Sequence, residues 1–390
     1  MEEIEPAIEK VIDNVISGLT RPLIVEEASP KPKEVGTPQR IAFQGNLEEI
    51  HKFFYKRGWT DGLPIIPPTE EAVTEMLTGT NLPPDYLVNI LEPRMGKATV
   101  ERIAINAVMA GCLPTHMPVL IAGTRALVSN RTAVMMAAST GSFSPFWIIN
   151  GPIRQDIHVN CGYGAMNPGD IANAAIGRAM GLITKNIRGV RKQMEDMGLL
   201  GNPCKYTWAT GENEENSPWE PLHVERGLKK GDSAVTLTFP RTYQQITPYV
   251  TDDVGILKSI CYNAAPLNMG IFGVLLTPSN AKALASRGWS KKAVKEYIIK
   301  NATAPRDHMS SYYSLTPAER EKENPQDRLP IFQASPREPD PVQIYVVGGF
   351  GAHIGMVSGG RIATEKIELP AKWDKLVAKY KDMVPSYVRY

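Results

Sequence analysis

The stretch from Gly201 to Phe239, GNPCKYTWATGENEENSPWEPLHVERGLKKGDSAVTLTF, gathers an unusual density of groups that bind, donate or accept protons. They are Lys205, Tyr206, Glu212, Asn213, Glu215, His223, Glu225 and Arg226. Imidazole ionises near neutrality, so His223 is the natural general acid or base, with Glu212 or Glu215 to orient it. Lys205 and Arg178 can neutralise charge on a substrate, and Arg226 lies close to His223 in sequence. A metal held by His223, Glu212 and Glu215 is a further option, but no HExxH or His-x-His spacing points to one.

Two predicted strands bracket these groups. Cys204 to Ala209 carries Tyr, Thr and Trp, and Ser233 to Phe239 alternates small or polar with β-branched residues. Between them, Ser217-Pro218-Trp219-Glu220 predicts a helix start: a capping hydroxyl, proline at the first helical position and a glutamate closing a capping box. Gly227 supplies the stop. On such a helix Trp219, His223 and Arg226 share one face. The alternative to an active-site insert is a hydrogen-bond network that pins a long loop.

Other candidates lie on both sides. Thr99 to Gly111 is apolar almost all round and predicts a buried helix, with Asn106 as its polar exception. Cys112 and His116 follow it, as a thiolate with its base, as two metal ligands, or, for the cysteine, as a small packed hydrophobe. Pro118 begins the run Met117 to Ala122, read as a strand. Asp61 stands on a proline-stiffened turn, as a ligand group or a turn cap. A strand predicted over Pro145 to Asn150 leads into GPIRQDIHVNCGYGAMNPGD and then into the small-residue helix Ile171 to Asn186, with Asp170 as cap. That order presents backbone N–H groups to an anion. Asn150, His158, Asn160, Asn167, Asn173 and Arg178 surround its glycines. No GK[ST] ending and no GxGxxG is present, so no nucleotide motif is read. Downstream come a strand at Asn268 to Thr277 and helices at Pro278 to Arg287 and Ser290 to Ala302. A charged excursion over Ala304 to Glu338 follows, then a strand at Pro341 to Val347 ending in a glycine loop with His353. The last element is a helix at Pro370 to Met383.

With 390 residues, 43% hydrophobic and 22% charged, the composition is that of a soluble globular protein with one large or two smaller domains. A net charge of +2 without a basic block gives no footprint for nucleic acid. No apolar run approaches the roughly 20 residues that span a bilayer, and the acidic start MEEIEPAIEK does not read as a signal peptide. Cys112, Cys161, Cys204 and Cys261 form no CxxC pair, which fits reduced thiols in the cytoplasm. An apolar stripe from Ile4 to Leu19 predicts an amphipathic helix on an extended arm. It either docks on a second copy, giving a homo-oligomer, or packs back on its own core. Strands alternating with helices predict an α/β fold: a mixed sheet with buried helices and long glycine-rich loops. The expected divisions are 1–45 for the helix and arm, 46–369 for a core of one or two subdomains, and 370–390 for the last helix. Ligands in such sheets sit beyond the carboxyl ends of strands, so Asn150, Glu212, His223 and His353 should converge there.

The runs GWTDGLPIIPPTEE, NAVMAGCLPTHMPV, NPCKYTWATGENEENSPWEPLHVERG and GWSKKAVKEYI resemble an uncharacterised bacterial family associated with a UGSC-motif (seleno)protein domain, encoded nearby or fused. The central run is the most specific part. This chain has neither UGSC nor CGSC; Cys161-Gly162 is followed by Tyr163-Gly164. The resemblance therefore implies a thiol or selenol arriving on a UGSC-type partner subunit, and it implies no substrate or cofactor. The expected function is an enzyme acting on a small polar, anionic molecule by acid/base chemistry of the lyase, hydratase or hydrolase type. The alternatives are a thiol or selenol redox subunit, using Cys112 or the partner, and a non-catalytic binding or scaffold subunit.

Overall fold

The computed structural model describes residues 5–24, 28, 42–130, 132–264, 272–332, 340–359 and 361–383. Contacts divide the chain into Met1–Asn46 and Leu47–Tyr390. In the first unit the helix Glu5–Thr20 carries Val11, Ile12, Val15, Ile16 and Leu19 exposed. Most of the arm that follows lies outside the described residues.

The second unit contains the strands β1 (Leu87–Leu91), β2 (Gly96–Thr99), β3 (Phe146–Asn150), β4 (Ala209–Gly211), β5 (Ala234–Thr238) and β6 (Thr242–Ile246). After them come β7 (Phe272–Leu276), β8 (Thr303–Pro305), β9 (Arg328–Pro330), β10 (Val342–Val346), β11 (Ile354–Ser358) and β12 (Ala363–Lys366). They form two mixed four-stranded sheets, ordered β12-β5-β3-β4 and β10-β7-β11-β6, and two hairpins, β1-β2 and β8-β9. In each large sheet one neighbouring pair is parallel, β3 with β4 and β10 with β7. The fold is α/β.

Period-two burial explains how the layers stack. Phe146 and Ile148 of β3 meet Leu275, Tyr345 and Val357 of the other sheet in one apolar cluster, so the sheets face each other. Trp147, Ile149, Val235 and Leu237 point the other way, against Val100–Ala110, Met117–Ser129 and Ile171–Asn186. Val274, Leu276, Ile344 and Met356 likewise pack on Asp253–Ala264, Pro278–Ala285 and Lys291–Asn301. The result is helices, sheet, sheet, helices. Strands buried on both faces read as near-continuous apolar runs, as FWIIN and VQIYV do.

Four local readings change. Met117–Ala122 opens a buried helix, Met117–Ser129, and is not a strand; a short apolar run fits either, and Pro118 in the first turn suits the helix. Cys204 to Ala209 is mostly not extended: a 3-10 turn, Pro203–Lys205, is capped by Asn202, and the strand is Ala209–Gly211. The helix predicted from Ser217 begins instead at Leu222 and lasts only to Glu225. Ser217 uses its hydroxyl on Trp219, accepting from its N–H and donating to its carbonyl. Pro221 disfavours helical backbone at Glu220, which delays the start. Trp219 therefore shares no helix face with His223, and it packs on the second sheet's helices with its indole donating to the Trp289 carbonyl. The segment after Val347 also holds more order than a glycine loop, because it contains β11, buried along its length. The last helix, Trp373–Tyr380, docks on the core, with the Trp373 indole donating to Asp156.

Candidate functional site

The ends of β3, β4 and β10 meet at one place. β3 closes on Asn150, and Gly151 then turns with φ +84°, where a side chain would strike the Asp232 carbonyl. That turn throws Arg154 back beneath the strand end. β4 stops at Gly211, and the backbone N–H groups of Glu212 and Asn213 donate to the carbonyls of Ile149 (3.1 Å) and Val346 (2.7 Å). The two sheets are joined there.

Glu212 is wholly buried. Its carboxylate accepts from Asn150 Nδ2 (2.6 Å) and the Leu222 N–H (2.7 Å), with the Val346 N–H at 3.5 Å and Lys291 Nζ at 3.9 Å. It ties four segments together, and this use leaves it little capacity for a substrate. Glu214, which the sequence reading passed over, accepts on Oε1 from Asn150 Nδ2 (3.0 Å) and the Gly151 N–H (2.8 Å), with Arg154 Nε at 3.1 Å. Glu215 is half-exposed and takes Arg154 Nη2 (2.9 Å) and Gln155 Nε2 (2.8 Å). The Arg154 bond holds its carboxyl below the ordinary range.

His223 sits behind these carboxylates with 0% of its surface exposed. Among the described residues neither ring nitrogen has a hydrogen-bond partner, and Nδ1 lies 4.0 Å from Glu214 Oε1. The carboxylate nearest to it is thus Glu214, not the expected Glu212 or Glu215. Asn150, also fully buried, leaves its side-chain carbonyl unpartnered as well.

A cleft of about 890 Å³ opens beside this cluster, lined by Arg154, Gln155, His158, Cys161, Tyr163, Asn167, Asp170 and Glu215. Arg154 was not foreseen either. It is 3% exposed, and its Nη1 donates to the Glu212 carbonyl (2.7 Å) and approaches Cys161 Sγ at 3.6 Å. Burial pushes the Cys161 thiol up, and the nearby guanidinium only partly opposes it. Asn160 and Asn173 hold the cleft's shape. Asn160 Nδ2 donates to Asp170 (2.8 Å), and its backbone N–H donates to Asn173 Oδ1 (2.8 Å). Asn173 Nδ2 donates to carbonyls of Asn160, Ala165 and Ala209, so this buried amide is committed to the fold. Asp170 makes no side-chain cap at the helix Ile171–Asn186 and places a carboxylate at its start, which opposes an anion there.

The remaining expected residues lie elsewhere. Arg178 faces Asp61 in a two-pronged pair (2.8 and 3.0 Å), and Lys205 pairs with Asp196 (2.6 and 2.7 Å). Both belong to a second cleft of about 440 Å³. In holding Arg178, Asp61 does more than cap its turn, although it also accepts from the Leu63 N–H. Gly177 lets the Arg178 helix lie against the lead-in to β4, where a side chain would meet Thr207 Oγ1 at 2.3 Å and the Trp208 nitrogen at 2.8 Å. Cys112 is buried and its thiol donates to the Ala175 carbonyl; burial pushes it far above the usual thiol range. His116 is not its base: Nδ1 accepts the Leu113 N–H, and burial lowers the imidazole to about 4. His353 is exposed and does not join Asn150, Glu212 and His223; its carbonyl accepts from Asn280. Arg226 is exposed at the C-cap of its short helix. Glu225 reaches Lys291 (2.8 Å) and Lys295, and although burial raises it, the two ammonium groups hold it low.

Among the described residues, no helix is long and apolar enough to cross a membrane, and no three His, Cys, Asp or Glu side chains are grouped to hold a metal ion. Comparison with protein-family models, curated proteins and solved structures finds no match.

Proposed function

We propose that this chain is an enzyme that binds a small polar molecule in the cleft beyond β3 and β4 and moves a proton on it, in lyase, hydratase or hydrolase chemistry. His223 carries the reading. It is fully buried and unpartnered at both nitrogens beside Glu214. An unsatisfied buried polar group costs about 1–3 kcal/mol, and a residue that only pinned a loop would be expected to spend its nitrogens on that loop. In this reading the imidazole is the acid or base. Glu214, 14% exposed and paired with the cleft-lining Arg154, relays the proton outward from the imidazole. Arg154 positions the carboxylates and shapes the wall. One guanidinium stands against Glu214, Glu215 and Asp170, so the cleft suits a neutral or cationic molecule better than the anion expected from the sequence.

The test begins with a thermal-shift screen of small polar metabolites, followed by NMR of mixtures to find one that is turned over. His223→Asn should bind such a compound normally and lose about 10²–10⁴ in turnover. A folded variant with undiminished turnover overturns the assignment. Thiol chemistry is the second reading, favoured because Cys161 lines the cleft within 3.6 Å of Arg154. Full turnover by Cys161→Ser removes it.

A further inference from the structure

The second cleft has the opposite charge. It is walled by the Asp61 turn, the helix Ile171–Asn186 and the segment from Val190 to Tyr206, and encloses about 440 Å³. That is within the range of pockets that take small organic ligands. Four cationic side chains, Arg178, Lys185, Lys192 and Lys205, meet only two carboxylates, Asp61 and Asp196. Arg178 and Lys205 consume both carboxylates. Lys185 is left with a neutral partner, the Thr60 carbonyl. Lys192 is exposed, and among the described residues no carboxylate ion-pairs with it. The two lysines are close enough to repel. Burial lowers the Lys185 ammonium, Asp61 opposes this, and Lys192 lowers it further. On the same wall Thr184 has a buried hydroxyl with no partner among the described residues. In the same lining Leu200 and Tyr206 are exposed, over the buried Phe143, Leu182, Val190 and Phe239.

We infer that this cleft binds an amphipathic organic anion, with a dianionic head between Lys185, Lys192 and the Thr184 hydroxyl and a compact aromatic or aliphatic body against Leu200 and Tyr206. A phosphate monoester and a dicarboxylate share that chemistry. The head supplies the counter-charge the cleft lacks, and the body covers the exposed Leu200 and Tyr206. None of these residues belongs to the strand-end cluster, so the inference stands apart from the proposed reaction.

Phenyl phosphate is the probe, titrated calorimetrically into the full chain at low salt, with phenol and inorganic phosphate as the two half-ligands. It should bind at one saturable site, more tightly than either half. Lys192→Glu replaces a solvent-facing side chain and should leave the fold intact. It should weaken binding about tenfold or more, as expected for reversing one charge a few ångströms from a dianion. Lys185→Met should weaken it comparably, and His223→Asn should leave it unchanged. No saturable binding, equal binding of either half-ligand, or unaltered affinity in folded Lys192→Glu would overturn the inference. Loss of binding in His223→Asn would place the probe in the other cleft and overturn it too.

Discussion

The strand-end cluster and the basic cleft both rest on arginine–carboxylate pairs, and the pairs are made differently. Arg154 is 3% exposed and is met by Glu214, Glu215 and the Glu212 carbonyl. Backbone N–H groups of Gly151 and Leu222 complete the shell around the carboxylates. Arg178 is 18% exposed and has one carboxylate partner, with cations left over around it. The first arrangement fixes geometry at the meeting of two sheets, at the cost of desolvating its charges. The second leaves a field for something else to neutralise. The chemistry of each region rests on a different kind of group. In the cluster it is the one group not locked into the network, His223. In the cleft it is the charge not cancelled.

Breaking each arginine should therefore give unequal results. Arg154→Met leaves the largely buried Glu214 without its cation, along with the half-exposed Glu215, and should cost about 3–5 kcal/mol. Arg178→Met frees Asp61 near solvent, where water can replace the guanidinium, and should cost about 1–3 kcal/mol. Urea unfolding of both variants checks the order. Equal losses would mean that burial does not separate the two regions.

Within the cluster, Glu214→Gln is the next largest effect. The amide can keep an acceptor toward Gly151 but loses the charge facing Arg154, so about 1–3 kcal/mol is expected. Glu215→Gln, half-exposed on the cleft rim, should cost less than about 1 kcal/mol. A Glu215 variant as damaged as the Glu214 one would move the centre of the network outward.

Acid separates the regions more gently. Glu215 and Asp61 both titrate below their ordinary values of 4.5 and 3.8. For Glu215 the main cause is its bond to Arg154, whereas for Asp61 burial pushes upward and the Arg178 pair more than reverses it. A carboxylate depressed in the folded state contributes stability that is complete above its unfolded value. That contribution drains away as pH falls through the folded one. Stability from these pairs should be flat near neutrality and decline as pH drops below 4.5 and then 3.8. Asp61→Asn should flatten the lower part of that decline. An unchanged acid limb in Asp61→Asn would show that the Arg178 pair does not depress Asp61.

The sequence carried the buried strands well, because FWIIN and VQIYV are mostly apolar and bounded by turn residues. It also placed Asn150, Glu212 and His223 at one strand-end junction. What it could not carry was pairing across distance. Arg154 and Glu214 are 60 residues apart and look like ordinary loop charges until β3 and β4 pair in parallel. Arg178 and Lys205 have the charge to serve a substrate near His223, but both face the other cleft, toward Asp61 and Asp196. Cys112 and His116 illustrate the limit of spacing alone. One donates to a helix carbonyl and the other accepts a loop N–H, so their proximity in sequence is packing. The signal that could have found Arg154 is the IRQD turn directly after a strand-ending Asn150-Gly151, since such a turn folds its side chains back under the strand.

The smallest effect is the sharpest test of the contrast, because it should have the opposite sign. Burial is the main cause that lowers the Lys185 ammonium; Asp61 opposes it, and Lys192 adds a smaller repulsion. Lys192→Met removes one of these charges at a solvent-facing position and creates no cavity. It should therefore be neutral or stabilising by a few tenths of a kcal/mol, within the roughly ±0.5 kcal/mol typical of surface changes. Ionic strength separates this cause from a change in side-chain propensity. At about 1 M salt the screening length falls to roughly 3 Å, so a gain that comes from relieved repulsion should vanish there. A propensity effect would persist. Urea unfolding at low and high salt, run beside Arg154→Met, gives the comparison directly. A Lys192→Met protein clearly less stable than its parent at low salt would show that the ammonium has an attractive partner, and the basic cleft would then resemble the strand-end cluster.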